Sequence, residues 1–120
     1  MVRVLLFTGV LFVFLSAAKS QTEKEVLSTI EQAKELMNKD PVSSKPYIDS
    51  LENSIKLGSY KPFIKAKYHM LLGIYYYRLA KMDSSLMYYD RALEYYQQKD
   101  STKQVAMANI NKAMCYTYTG

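Results

Sequence analysis

The spacing of small and aromatic residues across positions 66–92 constrains this chain more than any other feature. It reads His69-x2-Leu72-Gly73-x2-Tyr76, then Ser85-x3-Tyr89-x2-Ala92. A helical hairpin needs such spaced small and aromatic residues to close. Helical periodicity extends upstream, where Val26, Ile30, Ala33 and Met37 fall on one stripe. The pattern predicts five helices and no strands. The first covers about residues 23–38 and ends at Asp40-Pro41, because proline disfavours helix in the residue before it. The second covers about residues 43–57, with Pro46 tolerated in its first turn and Gly58 as its stop. The third starts near Lys61-Pro62, proline again at a favoured first position, and runs to Ala80. Asp83 is expected to cap the fourth, which extends to about Gln98. The fifth runs from about Thr102 to Tyr118. Short connections predict antiparallel packing of neighbours.

The same residues resemble a tetratricopeptide repeat, whose pattern is W-x2-L-G-x2-Y followed by A, F and P at fixed offsets. Leu72, Gly73, Tyr76, Tyr89 and Ala92 keep the pattern; His69, Ser85 and Gln97 replace its Trp, Ala and Pro. The resemblance implies that Gly73 and Ser85 sit where two helices cross and that Tyr76 and Tyr89 point inward to fill the wedge. Ala92 lets the next helix approach. A second copy follows forty residues on, with Ala113 and Tyr116 in the slots of Gly73 and Tyr76, and Ala33 and Leu36 hold them upstream. Residues 43–55 likewise parallel residues 84–96, aligning Ile48 with Tyr89 and Leu51 with Ala92. The implied fold is an all-α superhelix of antiparallel hairpins over residues 23–120, about two and a half repeats and cut within the last. An unrelated amphipathic bundle is the alternative.

Residues 1–20 have a different character. Met1-Val2-Arg3 is a short basic start, residues 4–15 are apolar apart from Thr8 and Gly9, and Ala18 and Ser20 stand at −3 and −1 of a cut before Gln21. This is the layout of a secretory signal peptide. The apolar run falls short of the roughly 20 residues that span a bilayer, and no Cys near the cut offers a lipid attachment atom. An uncleaved anchor is the other reading. The expectation is export, with residues 21–120 in the periplasm, cell envelope or medium and no membrane insertion after cleavage.

Charge argues against nucleic acid. Removing Arg3 and Lys19 leaves fourteen basic residues against eleven acidic ones, a formal charge of +3 rather than +5. The charges are interspersed, without a block of like sign, as on solvated helix faces. Cys115 is the single cysteine, so neither an internal disulfide nor a cysteine-based metal cluster is available.

Twelve tyrosines and no Trp demand an account. Runs such as Tyr75-Tyr76-Tyr77 cannot all face one core, since successive helical residues are about 100° apart. Tyr75 and Tyr88 are expected against neighbouring helices with hydroxyls at the rim. Packing of a stacked array and a dedicated aromatic ligand site remain the two readings of this content.

No catalytic, cofactor or metal site is expected. His69 stands in a bulky packing slot, Cys115 has no histidine near it in sequence, and the pairs Glu31/Glu35 and Asp90/Glu94 interleave with Lys34 and Arg91 as solvated faces do. No glycine-rich phosphate loop occurs among four glycines.

The resemblance implies instead a protein- or peptide-binding module whose concave wall comes mainly from first helices. Carried across, the wall positions are Lys67, Met70, Ile74, Tyr77 and Arg78 in the middle repeat. In the last they are Met107, Ile110, Met114, Thr117 and Tyr118. Such a wall suits an extended or helical peptide with apolar anchors and an acidic group near Lys67 and Arg78; self-packing of part of it is the alternative. The exported array, with the phrase at residues 88–97, resembles the sensor regions of bacterial envelope signalling proteins. A free-standing exported scaffold and an accessory domain of a cell-wall enzyme are the alternatives. The fifth helix, apolar on more than one side, is expected to self-associate.

Overall fold

The computed structural model describes residues 21–119, and the side chains of residues 21–118. The expected signal peptide lies outside the described residues. Every regular element described is helical: α1 (Glu23–Lys39), a 3-10 turn (Val42–Ser44), α2 (Lys45–Leu57), α3 (Pro62–Arg78), α4 (Met82–Gln98) and α5 (Thr102–Thr119).

Local chemistry accounts for each boundary. Thr22 caps α1, its Oγ1 accepting from the Glu25 amide at 3.2 Å. At the other end the Asp40 amide donates to the Leu36 carbonyl. The Asp40 carboxylate then accepts from the Val42 amide and the Ser43 hydroxyl, which shapes the turn into α2. Pro62 opens α3 in the position where an absent amide costs nothing.

The ends of α3 and α4 are closed by the same device. Ala80 and Asp100 adopt positive φ, 60° and 51°. At the first corner the Ala80 amide donates to Tyr77 and the Lys81 amide to Tyr76; at the second, Asp100 donates to Gln97 and Ser101 to Tyr96. Each is the paired closure in which a left-handed residue satisfies the last helical carbonyls. Because Lys81 completes this closure, α4 starts at Met82 with no side-chain cap. The expected cap, Asp83, lies instead in the first turn, where its charge opposes the helix dipole.

Consecutive helices pack on one another, and α1, α3 and α5 also contact each other in series. The apolar interior divides into two clusters. The first joins Val26, Ile30, Ala33 and Met37 of α1 to Ile48 and Leu51 of α2 and to Ile64, Tyr68, Leu71, Leu72 and Tyr75 of α3. The second joins Ala66 and Met70 of α3 to Met82, Tyr89, Ala92, Leu93 and Tyr96 of α4 and to Ala108 and Cys115 of α5. Helix α3 therefore has two working faces, one for each cluster.

The α3–α4 crossing is built on Gly73. A β-carbon there would come closer than 3.0 Å to three ring atoms of Tyr89. The Ser85 hydroxyl, fully buried, donates to the Gly73 carbonyl at 2.6 Å and lies 3.3 Å from the Cys115 sulfur. Tyr89 fills the wedge, as its position in the repeat pattern implies. Tyr76 does not match its expected place. The ring buried on that side is Tyr75, which shares a face with Tyr68 and Leu72, seven and three residues back. Tyr76 is half-buried and stacks on Tyr88, centroids 5.5 Å apart and planes 6° from parallel. His69 stacks on the same Tyr88 at 5.9 Å, and the Arg91 guanidinium lies 5.3 Å from its centroid. His69 thus packs half-buried within an aromatic layer.

Candidate functional site: a groove along the first helices

A groove of about 350 Å³ runs between α1, α3 and α5. Helix α3 supplies Lys67, Met70, Leu71, Ile74, Tyr77 and Arg78, at the spacing that puts residues on one side of a helix. Helix α1 adds Ile30, Glu31, Lys34 and Asn38; α5 adds Gln104, Met107, Asn111 and Met114; Tyr89 and Tyr96 of α4 reach through to the floor. An apolar bottom of Met, Ile and Tyr is thus rimmed by three amides and by three cations against one carboxylate.

Seven of the ten residues expected on the concave wall meet here: Lys67, Met70, Ile74, Tyr77, Arg78, Met107 and Met114. Ile110, Thr117 and Tyr118 are not among the lining residues; Thr117 is exposed, Ile110 and Tyr118 are 61 % and 62 % exposed, and Tyr118 makes a T-shaped contact with Tyr77, centroids 6.3 Å apart. Ile110 follows Met107 by three residues, but the groove side of α5 runs 104–107–111–114, which leaves 110 on the outer side. Met70 is nearly buried at 7 % exposure, so it forms floor rather than a free anchor.

The α1 residues and the floor tyrosines were missed by sequence reasoning. A signal for the former exists: subtracting the forty-residue period from Met70, Leu71, Ile74 and Arg78 gives Ile30, Glu31, Lys34 and Asn38. Nothing comparable identifies Tyr96, which enters from a second helix.

Arg78 has a partner inside the fold. Its Nη2 donates to the carbonyls of Met37 and Asn38, at 3.1 and 3.0 Å, at the end of α1. A cation there satisfies orphan carbonyls and complements the negative end of the helix dipole. Burial pushes the Tyr89 phenol up and Cys115 adds to this, while hydrogen bonding with Ser85 and Asn111 pulls it back. The floor therefore offers a neutral phenol near Asn111, and Lys34 and Lys67 are the groove cations that no fold contact described above engages.

The described residues form an all-α array of serially packed helices. Comparison with protein-family models, with curated proteins and with solved structures gave no match for this chain. Among the described residues, no helix is long and apolar enough to cross a membrane.

Proposed function

We propose that residues 21–120 form a tetratricopeptide-type module that binds a protein or peptide in the α1–α3–α5 groove. The module is non-enzymatic and serves as the sensing or interaction part of a bacterial envelope protein. The observation that carries this reading is the groove itself, an apolar floor rimmed by amides and an excess of cations and assembled from three first helices. It suits a chain with apolar anchors and acidic flanks. Export is supported by the leader-like residues 1–20 and by the docking of Gln21, whose side-chain oxygen accepts from Ser54 and whose carbonyl accepts from Tyr60 at 2.7 Å. A helical body secured from Gln21 onward fits cleavage just before it.

Site-specific photocrosslinking in the native host tests the groove. A benzophenone side chain at Lys67 or Met114 should give one discrete adduct, and the same group at Asn53 of α2 should not. Equal adducts from all three positions, or none from the groove, would overturn the assignment. Mass spectrometry of envelope-fraction protein should find Gln21 as the first residue; a mature form beginning at Met1 would remove the export reading.

A further inference from the structure

Helix α3 is covered on two sides, and α5 on one. The equivalence of forty residues makes the difference legible. Tyr68 and Tyr75 of α3 face the preceding hairpin, and their counterparts Ala108 and Cys115 of α5, both fully buried, do the same. Ala66, Met70 and Gly73 of α3 are buried on the side that α4 covers; their counterparts Ala106, Ile110 and Ala113 are exposed. Between Ala106 and Thr117 the open stripe carries no charged residue; Lys103, two turns before Ile110, stands at its start, and Lys112 lies off it. A solvated helix face normally carries charge, and a contiguous uncharged apolar one marks an interface.

We propose that this face docks an amphipathic helix running antiparallel to α5, with an aliphatic residue seated over Ala113. The occupant's chemistry follows from two interfaces already present in the molecule. Where the crossing residue is Gly73, its partner helix presents Tyr89, whose ring fills the space a β-carbon would need. Where it is Ala33, the partner helix α2 instead carries Ile48 in the aligned position, and both residues are buried in one cluster. Ala113 has the β-carbon of Ala33. The docked helix therefore resembles α2, whose stripe reads Ser44-x3-Ile48-x2-Leu51, rather than α4. Ala106, Ile110 and Ala113 do not line the groove, so this interface stands apart from peptide binding there.

The probe is a synthetic peptide of the α2 stripe, residues 43–57, held helical by one side-chain lactam on its polar face. Its fluorescence anisotropy with the full chain should saturate. Ile110→Arg should weaken binding by about tenfold or more, because docking would bury an unpaired charge, while leaving the circular dichroism of the chain unchanged. Ile48→Tyr in the peptide should also weaken binding, and Lys67→Ala in the groove should not alter it. Absence of saturable binding, or binding indifferent to Ile110→Arg, overturns the proposal. So does a dimer of the chain that Ile110→Arg dissociates and the peptide fails to displace, since the face would then belong to a second copy.

Discussion

The ring of Tyr89 occupies the space a β-carbon on Gly73 would require. Two residues sixteen apart thus set the distance between α3 and α4, and the Ser85 hydroxyl bonded to the Gly73 carbonyl fixes the crossing from the other side. Gly73→Ala should destabilise the chain by about 1–3 kcal/mol through overpacking. The loss should shrink in a Tyr89→Leu background, because a shorter side chain vacates the contested space. Urea denaturation of the four variants measures the coupling; additivity within about 0.5 kcal/mol would mean that the ring is not the obstacle.

Ser85→Ala removes a buried hydrogen bond without stranding the Gly73 carbonyl, which retains its helical partner. The expected loss is about 1 kcal/mol. Ser85→Val should cost more, since the site is fully buried between Gly73 and Cys115. Equal midpoints for wild type and both variants in chemical denaturation would contradict this account.

Arg78→Ala should lower stability by about 1 kcal/mol by releasing the Met37 and Asn38 carbonyls at the end of α1. Arg78→Lys should recover part of the loss, because charge near the helix end persists while the fork geometry does not. Amide hydrogen exchange should report the effect in the last turn of α1, a site remote in sequence from the substitution.

Ala80→Gly is expected to stabilise. An alanine at φ 60° carries a steric cost that glycine avoids, about 1 kcal/mol, offset in part by the unfolded-state freedom glycine gains. Asp100→Gly should gain less, as aspartate tolerates the left-handed region better. Thermal melts of both variants decide; a lower melting temperature for Ala80→Gly would refute the argument.

Burial, then the charges of Arg91 and Lys65, hold the His69 imidazole below its usual value of 6.5. The folded state therefore takes up this proton less readily than the unfolded chain. The stability tied to neutral His69 is fully present above pH 6.5 and is lost as pH falls below it toward the lower folded-state value. The melting temperature should drop between pH 7.5 and 5 in the wild type, and His69→Gln should reduce that drop. An unchanged profile would mean that the imidazole titrates alike in both states.

What could be read from the sequence follows from which interactions are local. Five helices and their limits are legible because proline, glycine and apolar spacing act within a few residues. Gly73, Ser85, Tyr89 and Ala92 are legible as crossing residues because size alone decides who fits between two backbones. The choice of Tyr75 over Tyr76 for the core is not, since it depends on the rotation of α3 against α1 and α2 together. The same limit misplaced Ile110 on the groove wall. The role of Arg78 was hidden for another reason: its partners are backbone carbonyls forty residues away, which leave no mark in side-chain pattern.

The matched corners at Ala80 and Asp100 carry a further consequence, for how such a chain tolerates insertions and deletions. Helix α4 is a shaft between two identical joints, and their relative phase depends on the number of residues between them. One extra residue inside α4 would turn the second joint by about 100° and swing Cys115 away from Ser85. One extra residue in the segment at 58–61, where neither joint is involved, would leave that phase intact. Length variants of this chain should therefore survive before α3 and fail between its two matched corners.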